Sequence, residues 1–292
     1  MKKVKLTMRG RERLQGYGFV SIFLIGFIVF FIVPFIVSIT YTFTFGTAGT
    51  TFVGFANYER VIQSSAFKLA AYNTGRFLLM GVPLIMVFST VLSLLLQSRF
   101  GGSSVFRSIF LYPMVVPIAS TVMVFQVIFA DSGILNTILA NFEIHGIRWI
   151  DSSYAFYILI FLYIWKNCGY NIVLILSGLN AIPNDFYEVA RLEGAGSVQQ
   201  FRYITMPIMM PTFFFVFIIS IVNSFKSFRE AYLLSGTRPD DSIYMLQHYM
   251  NNNFSNLNYQ NLSVAAFMVF IIIFACIFVM FQLRRKGGDY EL

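Results

Sequence analysis

Asn180-Ala-Ile-Pro-Asn-Asp-Phe-Tyr-Glu-Val-Ala-Arg-Leu-Glu-Gly-Ala-Gly-Ser197 is a polar island between two long apolar runs. Those runs, residues 154–178 and 208–232, both exceed the ~20 residues a helix needs to cross ~30 Å of hydrocarbon. Outward from this hairpin, four more stretches qualify: 17–43, 73–97, 105–130 and 262–283. The 292 residues are 57% hydrophobic and 12% charged, with mean hydropathy +0.71, so a soluble fold could not bury their apolar surface. Irregular backbone cannot face lipid, and unbroken runs lack the short alternating segments of a barrel. The expectation is an all-α integral membrane protein with six transmembrane helices. The first run is too long for a signal-peptide core and lacks a small-residue cleavage site, so it reads as a retained span.

Basic residues beside spans stay in the cytoplasm, and they set the orientation here. With the amino terminus inside, the cytoplasmic segments hold Lys2, Lys3, Lys5, Arg9, Arg11, Arg13, Arg99, Arg107, Arg191, Arg202, Arg284, Arg285 and Lys286. The external loops hold Arg60, Lys68, Arg148 and Arg238. Both termini are therefore expected in the cytoplasm: a basic tail at 1–16, a six-helix domain at 17–283 and a second tail at 284–292. The net charge of +8 follows this topology and gives no exposed basic face for nucleic acid.

The island is too polar for lipid, yet it is patterned as two short helices. Pro183 blocks continuation of the preceding helix, Asn184 can cap a new one, and Asp185 suits its positive end. Gly194 and Gly196 permit left-handed backbone, and Ser197 with Gln200 has capping-box spacing. Phe186, Val189 and Ala190 share one face of the first helix, while Glu188 and Arg191 project elsewhere. A helix this short needs something to dock on: membrane headgroups in the plain reading, a soluble partner in the sharper one.

Glu188, Ala190, Gly194, Ile204 and Pro207 fall at the offsets of Glu-Ala-Ala, three residues, Gly, nine residues, Ile, any residue, Leu-Pro. The loop thus resembles the cytoplasmic signature of binding-protein-dependent ABC importer permeases, with Val189 and Met206 as apolar replacements. The maltose and multiple-sugar branch is further resembled by Phe52-Val-Gly-Phe-Ala-Asn-Tyr58, Pro113 and Pro117, Gly178-Leu179 with Ile182-Pro183, and Phe228 to Gly236 followed by Pro239. That resemblance implies a type I ABC importer permease fold with a coupling loop at 180–211. In it, Glu188, Ala190, Arg191, Gly194, Ala195, Ile204 and Pro207 would engage the ATPase. It also implies a second homologous permease, two ATP-binding cassette ATPases that use ATP and Mg, and an extracellular or periplasmic solute-binding protein. The expected location is a bacterial or archaeal cell (inner) membrane, in contact with lipid. The expected function is translocation of a sugar or oligosaccharide by a non-catalytic subunit that binds no cofactor itself.

Two spans carry polar stripes. Tyr163, Lys166, Asn167, Tyr170, Asn171 and Ser177 lie within about 140° of one another on the fourth. Ser220, Asn223, Ser224, Ser227 and Glu230, with Lys226 at the edge, form a similar stripe on the fifth. Lys166 lies about 18 Å from Tyr154 along the helix, where an ionised group costs at least ~2.5 kcal/mol without water or a partner. A hydrated solute route through Tyr163, Lys166, Asn167, Tyr170, Asn171, Asn223, Lys226 and Ser227 is one reading, and interhelical hydrogen bonding is the other. Lys166, Lys226 and Arg229 would also suit a carboxylated solute.

No phosphate-cradling Gly-x-x-x-x-Gly-Lys-Ser/Thr loop is present, so ATP hydrolysis is expected in another subunit. Cys168 and Cys276 read as apolar thiols without a partner at metal spacing, and His145 and His248 as solvated loop residues. A six-span ion channel or intramembrane enzyme would need a filter loop or paired catalytic residues at matched depth, and neither is readable. A non-sugar ABC permease remains the alternative within the family.

Overall fold

Helix is the way an apolar run satisfies its own backbone in lipid, and helices dominate the computed structural model, which describes residues 8–46, 51–97 and 103–287. Lys2, Lys3, Lys5, Arg99 and the last five residues of the 284–292 tail lie outside the described residues. In chain order the helices are α1 (Met8–Phe27), α2 (Val33–Phe43), α3 (Ala56–Gln63), α4 (Ser65–Gln97), α5 (Ser103–Val115), α6 (Ile118–Phe129) and α7 (Ile134–Ala140). They continue as α8 (Ala155–Asn180), α9 (Asn184–Leu192), α10 (Ser197–Gln200), α11 (Met206–Lys226), α12 (Phe228–Ser235), α13 (Leu246–Ser255) and α14 (Tyr259–Gly287). Six helical segments are long and apolar enough to cross a membrane: Gly16–Phe43, Ser65–Gln97, Ile118–Ala140, Ala155–Asn180, Ser197–Ser235 and Tyr259–Val279. The six-span, all-α expectation holds, and among the described residues the sole strand pairing is a two-residue antiparallel ladder of β1 (Thr44–Phe45) on β2 (Thr51–Phe52).

Prolines explain where helices widen or stop. Pro34 and Pro207 offer no N–H to the turn before them, and each is preceded by a π-type turn, Ile28–Ile32 and Phe201–Thr205. Pro117 has a larger effect. The run 105–130, expected as one span, is broken at Val116–Pro117 into α5 and α6, because Pro117 adopts extended ψ and becomes the cap of α6. The spanning segment is accordingly Ile118–Ala140, and α5 is a shorter apolar helix before it.

The chain forms two units, Met1–Ser64 with Asn253–Leu292, and Ser65–Asn252. In the first, α14 packs on α2 and α3, with Phe35 edge-on to Phe270 at 5.3 Å. Asn57, fully buried, donates to the carbonyls of Thr42 and Thr44 at 3.2 and 2.9 Å and so closes the carboxyl end of α2. Phe19 and Phe30 of the first span are 81% and 74% exposed, as lipid-facing side chains should be.

In the second unit α8 is the axis, packed by α4, α5, α11 and α12. One cluster gathers Phe77, Ile85, Phe156, Leu159 and Tyr163, and another gathers Ile175, Leu179, Ile182, Met209 and Phe213. Association in lipid depends on close contact, and small residues permit it. A Cβ on Gly169 would collide with the Phe110 carbonyl oxygen, so α5 and α8 meet backbone to backbone.

Candidate functional site

The polar island forms a built hairpin. Pro183, with φ −59° and ψ 136°, occupies the cap of α9, so Asn184 is the first helical residue and not the cap expected for it. Asp185 lies in the first turn as expected. At the far end Gly194 has φ +82°, its N–H donates to Arg191, and the Ala195 N–H donates to Ala190 at 2.8 Å, which is a Schellman closure. Gly196 does not take a left-handed conformation: with φ −73° and ψ 166° it caps α10. The capping interaction is therefore one residue earlier than Ser197 and Gln200 suggest. The Gly196 N–H donates to Gln199 Oε1 at 2.8 Å, and Gln200 Nε2 instead donates to the Ala195 carbonyl at 2.8 Å.

Tyr187 anchors the hairpin. Its hydroxyl lies 2.9 Å from Thr205 Oγ1, and its ring packs with Ile204 and Met206 against Ile182 and Met209. This leaves Phe186, Val189, Leu192 and Val198 open, Leu192 being 88% exposed. Glu188, Arg191, Gly194 and Pro207 are exposed, while Ala190, Ala195 and Ile204 are half-buried.

Inside the second unit a polar seam joins α8 to α11 and α12. Tyr163 donates its hydroxyl proton to the Ser220 carbonyl at 2.7 Å, and Asn171 Nδ2 donates to Ser220 Oγ at 2.9 Å. Lys166 Nζ is 2.6 Å from Glu230 Oε1, with the Glu230 side chain 5% exposed. Asn167 donates to the Tyr163 carbonyl at 2.9 Å, Lys226 reaches Asn223 Oδ1 at 3.5 Å, and Ser227 Oγ donates to the Asn223 carbonyl at 3.4 Å. Asn171 Oδ1 and Glu230 Oε2 are enclosed without a hydrogen-bond partner. The helix break at Ser227 turns α12 back against α8, and Gln126 Nε2 holds the far end of α12 by the carbonyls of Leu233 and Leu234 at 3.0 and 3.1 Å. Lys166 is the only expected route residue whose charge the seam neutralises.

A family model described as binding-protein-dependent transport system inner membrane component matches residues 81–285, which takes in both the hairpin and the seam. The chain belongs to this family. Among relatives of this inner membrane component is the trehalose/maltose transport system permease protein MalF of Thermococcus litoralis, 27% identical and covering 82% of this chain and 81% of the relative. The sulfoquinovosyl glycerol transport system permease protein SmoG of Agrobacterium fabrum is 29% identical, covering 69% and 66% respectively. A crystal structure of a bacterial ABC transporter involved in the import of the acidic polysaccharide alginate superposes with a TM-score of 0.84 at 20% identity, covering 96% of this chain and 98% of that one.

Within this inner membrane component the expected residues divide by position. Tyr163, Asn171 and Ser227 are buried between helices, whereas Lys166, Asn167, Tyr170 and Asn223 are half-buried and Lys226 is exposed. Tyr187 and the pairing of Lys166 with Glu230 were not expected from the sequence, although both charges lay on the expected stripes. Tyr187 gave no local signal, since its partner is eighteen residues away. The Lys166 to Glu230 pairing was signalled by opposite charges on neighbouring spans. His248, expected in solvent, is 1% exposed: it lies in the first turn of α13 facing Phe228 and Tyr244, which shield it from water. His145 is exposed as expected.

Proposed function

We propose that this chain is the permease subunit of an ATP-driven importer for a sugar or oligosaccharide. The observation that carries it is the hairpin: a short helix fixed from behind by Tyr187, with an apolar face of Phe186, Val189 and Leu192 left open beside Glu188. Such a face needs a cover, and a separate ATPase supplies it. Two ATPases that use ATP and Mg close on each other, and the hairpin passes their movement to α8 and α11. Both termini and residues 180–211 lie in the cytoplasm, and an external binding protein delivers the solute. A second, related permease completes the route. The transport names of the relatives support a carbohydrate cargo, and the half-buried Asn167, Tyr170 and Asn223 give hydroxyl-matching groups and a ring to stack. Purification through a tag on this chain is expected to bring down an ATPase, with binding-protein-dependent sugar uptake in reconstituted vesicles. Leu192→Glu is expected to lower ATPase recovery at least tenfold while leaving membrane insertion unchanged. Homo-oligomers without an ATPase would refute the reading.

A second reading, a carboxylated solute, rests on Lys226 and Arg229. Both are exposed and have no acidic partner among the described residues, whereas Lys166 is engaged by Glu230. Lys226→Gln with Arg229→Gln is expected to weaken uptake of acidic oligosaccharides selectively. Equal loss for neutral ones would refute it.

A further inference from the structure

Between α12 and α13 the chain is fastened to the spans by side chains of α4. Asn73 Nδ2 donates to the carbonyls of Asp241 and Tyr244, and Thr74 Oγ1 accepts the Leu246 N–H at 3.0 Å. The centre of this fastening is His248. Its Nδ1 accepts the Met245 N–H at 3.2 Å, and its ring meets Phe228 edge-on at 4.7 Å and Tyr244 nearly parallel at 5.7 Å. An imidazole that accepts at Nδ1 carries its proton on Nε2, which here is enclosed without a partner.

A second proton would have to enter at Nδ1, directly against the Met245 donor, and would place a charge between two aromatic rings. No element around the ring supplies a compensating anion among the described residues. On α12, Arg229 is cationic and Glu230 is engaged by Lys166. On α4, Lys68 and Arg76 are cationic, and Arg76 lies 3.9 Å over Phe156. Between α12 and α13 Asp240 accepts the Ser242 N–H and Arg238 is cationic, and the remaining titratable groups are Asp241 and Tyr244 there, Tyr232 on α12, Tyr72 on α4 and Tyr249 on α13. None of these hydrogen-bonds or ion-pairs with the imidazole.

We propose that His248 is an acid-sensitive latch: neutral, it seats residues 240–252 on α12 and α4, and protonated, it releases that segment from Phe228 at the outer face. Burial pulls the imidazole down from 6.5 to about 4, consistent with a latch closed at neutral pH. Release matters for transport because Phe228 opens α12 beside the Ser227 break, whose next turn carries Glu230 to Lys166. Acid outside therefore stalls the importer.

The outer placement rests on the orientation proposed above. An Arg238→Cys variant checks that placement independently, since only an external residue reacts with an impermeant thiol reagent applied outside. The latch itself is tested on the assembled importer in proteoliposomes, stepping the outside pH from 7 to 4. Amide exchange at Met245, corrected for the intrinsic pH dependence, is expected to rise at least tenfold, with uptake falling about twofold because half of the imidazoles are charged at pH 4. His248→Gln keeps an acceptor for Met245 but cannot be charged, so uptake should survive at pH 4. Unchanged Met245 exchange in the unmodified protein, or parallel loss of uptake in both proteins, would overturn the proposal. Should the variant fail to fold, the exchange measurement alone decides.

Discussion

Gly169 and Gly194 are both required, for opposite reasons. At Gly169 the constraint is space, since even one methyl group collides with the Phe110 carbonyl. Gly169→Ala is expected to cost about 2 kcal/mol or more by forcing α5 from α8, read as a fall in the thermal midpoint of the detergent-solubilised chain. Gly75→Ala, which meets nothing within 4 Å in the interior of α4, is the control and should hold or raise the midpoint. At Gly194 the constraint is backbone conformation, φ +82°, and the surrounding space is empty. A side chain there costs about 1 kcal/mol of strain, too little to unfold a membrane protein, so Gly194→Asp isolates docking. Insertion should be normal and ATP-driven uptake lost at least tenfold; normal uptake would remove the hairpin from the coupling route. Gly194 was legible in the sequence because a helix stop is decided by a few neighbours. Gly196 was misread for a related reason: glycine serves equally at an extended cap and in a left-handed turn, and the residues nearby do not choose between them. Tyr187 was illegible because its value depends on where Thr205 returns.

Elements are held in place by a few polar ties across otherwise apolar interfaces. The tie of Lys166 to Glu230 fixes α12 on α8 at 2.6 Å, and it is half-satisfied because Glu230 Oε2 has no partner. Removing one charge strands the other in a low dielectric and is expected to cost about 3–5 kcal/mol. Lys166→Met and Glu230→Met should each lower folded yield sharply, whereas the two together should recover most of it. A double variant as unstable as the sum of the singles would mean that the two groups do not interact. The polar stripes on the fourth and fifth spans were legible by helical phase, but the division of labour within them was not. Tyr163 and Asn171 both converge on Ser220, a contact between residues 57 and 49 positions apart. Phase gives the face of a helix; it does not give the depth at which another helix meets it.

For the whole molecule, six apolar segments separated by polar ones were readable from length alone, since hydrocarbon thickness sets one number for all of them. The broken third span was not, because Pro113 is accommodated inside α5 while Pro117, four residues on, ends the run. Acid sensitivity also belongs to this scale. The folded chain holds His248 at about 4, below its ordinary 6.5, so the stability contributed by the neutral ring is complete above pH 6.5 and is lost as pH falls towards 4. The limit is about 3 kcal/mol; thermal midpoints at pH 7.5 and 4 should fall further for the unmodified chain than for His248→Gln. The wide turn at Phe201–Thr205 has a further consequence. It holds one residue more than an ordinary helical turn, and each residue is worth 100° of rotation. The surplus residue is absorbed within the turn: deleting one there would let it close as an ordinary helical turn with the helix beyond still facing α8, whereas deleting one from the regular turns of α11 would swing everything beyond by more than a quarter circle. The turn is an index mark between hairpin and span, setting which side of α11 faces α8.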